Sequence, residues 1–351
     1  MSQSSTTKLT IATSSIIKLL AILAAVYFLF LIKNVLALLF VSLVLASAIN
    51  PWVKTLKKHG WPRLLSMILI YVVLILFVGA VVYLLIPPLA EQFVDLGNNL
   101  PTYSEKLRAL VEAMQNYSTS HGLANNFAQA VDSISSGFVG LTGQALTALY
   151  NVFSGIFSIL LVLVFTFYMI VEEEAIKKLV RLLSPKHQED YVIGLVDRME
   201  DKIGLWLRGQ LFLCLIIFVA VYIGLTILGV KYALLLALIA GITEAIPYLG
   251  PILGAVPTIL LTVVQSPTLA LLAAALFLII QQTENNLLVP LVMKKAVGMN
   301  PIISISVLMI GFTVGGVVGA LLSIPVTTAL SVLVEDLLEK KNRVQAAKNK
   351  V

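Results

Sequence analysis

The stretch Gly241-Ile-Thr-Glu-Ala-Ile-Pro247-Tyr-Leu-Gly250-Pro251-Ile-Leu-Gly254-Ala-Val-Pro257 interrupts a long apolar segment with glycines, prolines and a single carboxylate. No other feature constrains the fold as strongly. A bilayer core offers no water to backbone N–H and C=O groups, so a broken helix is tolerated there only where protein buries it or where it lines a wet cavity. Glu244 adds a charge that costs about 2.5 to 3.5 kcal/mol at a bilayer centre on insertion scales, which sets it against a partner or a pathway. A broken helix carrying a carboxylate at membrane depth reads as a transport site.

Composition supports the membrane reading that this argument needs. The chain has 351 residues, 59% hydrophobic and 12% charged, with a mean hydropathy of +0.98. Soluble domains average about 45 to 50% apolar and about 25% charged, so the fold class is an all-α polytopic membrane protein. The net charge of +6 does not point to nucleic acid, because the Lys and Arg residues cluster beside apolar segments, where they set orientation. The partners expected are the lipid bilayer and a small hydrophilic solute. Cys214 is the single cysteine. It reads as packing rather than chemistry.

Taken in order, residues 11–32 and 35–49 form an apolar hairpin that Asn50-Pro51 is expected to stop. Lys54, Lys57, Lys58 and Arg63 come next, which places this connection, and with it the N-terminus, in the cytoplasm. Residues 64–86 then cross outward to Pro87-Pro88, and 89–144 form a more polar extracytoplasmic insert. Within it Leu100, Tyr103, Leu107, Leu110, Val111 and Met114 recur at helical spacing, predicting an amphipathic helix that covers the membrane surface or a neighbouring subunit. Residues 145–171 return.

The first 171 residues thus read as a membrane scaffold, followed by a charged cytoplasmic linker over 172–209 with Val192, Leu195, Met199 and Ile203 on one face. A transport region occupies 210–335, and a basic cytoplasmic tail 336–351. Two broken segments stand out in the transport region, with Gly250-Pro251-Ile-Leu-Gly254 and Gly315-Gly316-Val-Val-Gly319 near their middles. Either both segments span the bilayer, leaving Lys294-Lys295 outside, or both are re-entrant helical hairpins that enter from opposite sides, leaving Lys294-Lys295 in the cytoplasm. The second arrangement obeys the positive-inside bias and uses permissive backbone at each tip.

Asn50-Pro51 with Pro62-Arg63, Glu244-Ala-Ile-Pro247-Tyr-Leu-Gly250-Pro251, Gln282-Thr-Glu284-Asn-Asn-Leu-Leu-Val-Pro290 and Gly316-Val-Val-Gly319-Ala-Leu-Leu-Ser-Ile-Pro325 together resemble the autoinducer-2 exporter (AI-2E) family of bacterial permeases. The resemblance covers nearly the whole chain. It implies a homopentamer in the inner membrane in which two hairpins of each subunit hold the solute and move like an elevator. It also implies varied cargo, from the quorum-sensing furanone to Na⁺ or Li⁺ exchanged for protons.

The expected site residues are Glu244, Pro247, Tyr248, Gly250, Gln281, Glu284, Asn285, Gly315 and Gly316. Gln281, Glu284, Asn285 and Leu288 share one helical face. Two readings of these polar groups stand side by side. They bind a small polyol or a cation and proton, or they cap the hairpin tips and satisfy backbone freed by the prolines. No cofactor or metal ligand set is expected, with coupling to H⁺ or Na⁺ left open. An enzyme is disfavoured: there is no His-Glu-x-x-His pair, Gly-x-Ser-x-Gly elbow or phosphate-binding loop, and His59, His121 and His187 are scattered among polar segments.

Overall fold

The computed structural model describes residues 13–118, 155, 158–186, 188–293 and 301–348. All regular structure among them is helical. Helices α1 (Thr13–Leu31), α2 (Lys33–Lys58) and α3 (Arg63–Ser118) are followed by α4 (Ser158–Val171) and α5 (Glu173–Leu183). Then come α6 (Glu189–Ile227), α7 (Ala233–Thr243), α8 (Gly250–Gln265), α9 (Pro267–Thr283), a π-helical turn (Glu284–Leu288), α10 (Val289–Met293) and α11 (Pro301–Lys348). Five stretches of the described residues are long and apolar enough to cross a membrane: Lys33–Lys58, Arg63–Ala109, Glu189–Ile227, Pro267–Met293 and Ile302–Glu339. The protein is a multi-pass helical membrane protein. Leu31, Tyr83, Leu84 and many other large apolar side chains of α1 and α3 are exposed, as a lipid-facing surface requires.

Three prolines expected to end helices do not. Pro51 lies inside α2, and Pro87 and Pro88 lie inside α3. Pro51 cannot donate to the Ser47 carbonyl, and Gly204 of α6 comes so close to that oxygen that a Cβ on it would lie 2.2 Å away. The next carbonyl, of Ala48, accepts a hydrogen bond from Arg208 Nη1 at 3.0 Å. The neighbouring helix thus packs directly on the backbone at the proline and adds a donor beside it. At 56 residues, α3 is about 84 Å long and runs far past a hydrocarbon core of roughly 30 Å. The 189–209 part of the charged linker and the following span are likewise one helix, α6, in which Leu195 and Ile203 are already buried.

Helix α6 is the central post. One apolar cluster packs Ile217, Val221 and Leu225 of α6 against α7, α8 and α9. A second packs Ile203, Trp206 and Leu213 against Val44 of α2 and Leu308, Ala320 and Ile324 of α11. The third, with Ile49, Val53, Met67 and Ile170, joins α2, α3 and α4. Part of the amphipathic face expected on α3 packs within the chain. Leu96, Leu100, Tyr103 and Leu107 pack on α7 and α8 of the same chain, while the side chains of Leu110, Val111 and Met114 lie outside the described residues.

Both broken segments fold back on themselves. Hairpin 1 pairs α7 with α8, and a Cβ on Gly254 would stand 2.8 Å from the Ala240 Cα. Its turn lies at 244–249 rather than at Gly250-Pro251-Ile-Leu-Gly254. The reason is that Pro251 sits in the first turn of α8, where a missing N–H costs nothing. Hairpin 2 is made of 301–314 and 317–348, with Gly315 and Gly316 at its tip; Gly316 has φ 61°. Its arms nearly touch: a Cβ on Gly319 would lie 2.1 Å from the Gly311 carbonyl oxygen. Lys294 and Lys295 fall outside the described residues.

Candidate functional site

The site is built where hairpin 1 breaks. Turn hydrogen bonds from Ala245 N to Ile242 O at 3.1 Å, Ile246 N to Thr243 O at 2.9 Å and Gly250 N to Ile246 O at 2.8 Å close the chain on itself. The Thr243 hydroxyl ties the two arms by donating to the Gly250 carbonyl at 3.0 Å. Gly250 is needed there because a Cβ would meet that same region of backbone, 2.5 Å from the Thr243 oxygen. Tyr248 has φ 66°, a left-handed conformation that side chains rarely adopt, so the tip holds strain that its surroundings must sustain. Gln210 of α6 fastens the tip from outside, donating from Nε2 to the Glu244 carbonyl at 2.6 Å.

Beneath this tip lies a cavity of about 620 Å³, bordered by hairpin 1, α6, the end of α9 with its π turn, and both arms of hairpin 2. Glu244, Pro247, Tyr248, Gln281, Glu284 and Asn285 all border it. The carboxyl groups of Glu244 and Glu284 face each other. Glu244 is 2% exposed and Glu284 6%. Oε2 of Glu244 is buried without a hydrogen-bond partner among the described residues, whereas Glu284 accepts from Gln281 Nε2 at 3.4 Å. Buried polar atoms are rarely left unsatisfied, so a carboxylate oxygen this deeply buried beside a cavity marks a position that a proton or a ligand completes.

Among known protein families, residues 16–339 match the one described as AI-2E family transporter. The chain belongs to this family. It is 30% identical over 312 residues to YrrI of Bacillus subtilis (strain 168), covering 88% of each chain. To YueF of the same organism it is 31% identical over 288 residues, or 79% of this chain and 77% of that one. It is 25% identical over 297 residues to the AI-2 transport protein TqsA of Escherichia coli (strain K12), covering 84% and 83% of the two chains. These names point to transporters rather than enzymes.

Within this AI-2E protein the expected residues divide. Six border the cavity, while Gly250 braces the tip of hairpin 1 and Gly315 and Gly316 turn hairpin 2 without bordering it. The π turn also alters the expected face, since one added residue brings Val289 to the cavity and turns Leu288 between two apolar clusters. Trp206, Gln210 and Ser304 border the cavity in addition to the residues expected. A lone amide at the head of an apolar crossing was the available signal for Gln210. Trp206 and Ser304 carried none, standing between Leu205 and Leu207 and between Ile303 and Ile305.

At the end rich in basic residues, Arg63 donates to Glu173 and, at 3.3 Å, to Asn50 Oδ1. Lys177 bridges Glu173 at 2.9 Å and Asp197 at 3.2 Å. Burial alone would push the Glu173 carboxyl up, but Lys177 and Arg63 outweigh it and hold it below its ordinary range. The hydrogen bond to Glu173 is the main cause that raises Lys177. The Asn50-Pro51 and Pro62-Arg63 motifs thus converge on one ionic knot between α2, α3, α5 and α6.

Proposed function

We propose that this protein is a secondary transporter that exports a small hydrophilic solute by alternating access. The observation that carries the reading is the buried Glu244 oxygen without a partner, set on a broken hairpin over a cavity. Such an atom is costly in a membrane unless a cargo or ion completes it. In this reading Glu244, Glu284, Gln281, Asn285 and Tyr248 contact the solute, and Pro247, Gly250, Gly315 and Gly316 shape the hairpins that admit it.

The basic ends of the helices face the cytoplasm of the cell that holds the protein in its inner membrane, with both termini inside. Residues 1–171 form the fixed part of a homopentamer, against which the two hairpins move like an elevator. The facing carboxyl pair favours a second reading as well, Na⁺ or Li⁺ exchange for H⁺, since one proton or one monovalent cation between two carboxylates relieves their repulsion. The name of TqsA makes autoinducer-2 the first solute to assay.

The test is flux in proteoliposomes under an imposed proton or Na⁺ gradient. Saturable flux driven by the gradient is expected. Flux that rises linearly with concentration and ignores the gradient would mean a passive channel. A stable monomer in nanodiscs would remove the pentamer.

A further inference from the structure

We infer that the cavity is built for an organic cation, with the Glu244–Glu284 pair receiving its positive charge and Trp206 receiving its carbon frame. The inference rests on the cavity being the transport site and narrows its cargo.

Among the described residues no Lys, Arg or His borders the cavity, so its two carboxyl groups meet no protein cation from them there. Once one proton is shared between the pair, a negative charge remains to be answered. An anionic solute would add to that charge in a low dielectric, where like charges repel strongly. The donors that an uncharged polyol would use are already committed in part. Gln210 Nε2 gives its hydrogen bond to the Glu244 carbonyl, and Gln281 Nε2 gives its own to Glu284. The orphaned Glu244 oxygen is an acceptor, and a solute that brings a donor or a positive charge completes it.

A tightly held divalent metal fits poorly. No group of three or more His, Cys, Asp or Glu is placed to hold a metal among the described residues. At about 620 Å³ the space is also of the size that houses small organic ligands. Much of its border is apolar, including Leu213, Val289 and Ile324, with Trp206 among them. An indole face is the aromatic surface that attracts cations most strongly.

Trp206 supplies the readout. Trp52 and Trp61 lie outside the cavity, half exposed, so the Trp52→Phe/Trp61→Phe protein in nanodiscs reports from Trp206 alone. Cyclohexylammonium, cyclohexanol and cyclohexanecarboxylate present one ring with three charges, and ribose presents a polyol. The expected result is a saturable change in Trp206 emission with cyclohexylammonium, at least tenfold weaker with the neutral and anionic rings and with ribose. Glu244→Gln and Glu284→Gln, made separately so that one decides if the other does not fold, are each expected to weaken the cation tenfold or more. A cation response that persists unchanged in both variants is partitioning and overturns the inference. Saturation by ribose or cyclohexanol in preference to the cation also overturns it, while leaving the cavity as the transport site. Silence of Trp206 toward all four compounds, together with unaltered flux in both variants, would remove the site itself.

Discussion

The two hairpins are built to opposite plans. Hairpin 1 turns through six residues, 244–249, that present a carboxylate, a proline and a strained tyrosine, and it is tied at the tip by Gln210. Hairpin 2 turns through two glycines that present no side chain. It is tied far from its tip, where Arg198 reaches Asp336 at 2.5 Å and Lys202 reaches Glu335 at 2.8 Å. One hairpin therefore brings polar side chains to the cavity at its apex, and the other borders it only with Ser304 and Ile324 of its described arms. Two hairpins that border one cavity are not required to present the same chemistry to it.

The contrast between them is most severely disturbed at the glycine contact of hairpin 2. Gly319→Val places atoms inside the van der Waals radius of the Gly311 backbone, so loss of folded protein is expected, a cost above about 4 kcal/mol. The yield of monodisperse protein measures it. Folding at wild-type yield would mean that the arms of hairpin 2 do not close.

Next in size is Glu284→Gln, which keeps the shape and removes a titrating group. Glu244 of hairpin 1 faces it, with Cys214 nearby on α6, Tyr248 bordering the same cavity and no basic residue among the described ones bordering it. The expected outcome is intact folding with the pH dependence of flux abolished. An unchanged pH profile would make Glu284 a brace for the π turn.

A smaller effect is expected at Gln210. Gln210→Leu leaves the Glu244 carbonyl without its buried donor, a cost of about 1 to 3 kcal/mol. Faster hydrogen exchange at 245–249 than at 312–318 reports it, and equal change in both tips would mean that Gln210 acts on the whole bundle.

Glu173→Gln at the ionic knot comes after it, at about 1 to 2 kcal/mol because the group is partly wet. The sign with pH is fixed by the two shifts. Glu173 is depressed from its ordinary 4.5, so its contribution is present above that value and fades as pH falls through the lowered one. Lys177 is raised from 10.5, so its contribution is present below that value and fades as pH rises through the higher one. Thermal midpoints of wild type and Glu173→Gln should diverge between those limits and converge in acid. The smallest effect belongs to Lys202→Ala, an exposed pair at the foot of hairpin 2, at no more than about 1 kcal/mol and vanishing in high salt.

The hairpins were legible in the sequence because a membrane punishes broken helices, so glycine and proline in an apolar run announce a fold-back. Their detail was less legible, because proline has two meanings. Pro251 opens a helix, and Pro51, Pro87 and Pro88 ride inside helices whose neighbours accommodate them. Glu244 and Glu284 were visible as charges in apolar surroundings. That they face each other depends on the π turn after α9 meeting the tip of hairpin 1, which no local pattern encodes.

The C-terminal half of α3 has a mechanical consequence. Its N-terminal half is anchored with α2 and α4, while beyond Pro88 it grips the base of hairpin 1: Gln92 Oε1 accepts from Leu235 N at 3.0 Å, and Asp95 accepts from the Tyr232 hydroxyl at 2.8 Å. Between the two grips, residues 72–86 are almost wholly exposed among the described residues. A displacement of hairpin 1 along the membrane normal must therefore either tear those bonds or flex α3 across its proline pair. The helix works as a leaf spring clamped at both ends, and its stiffness opposes any such displacement.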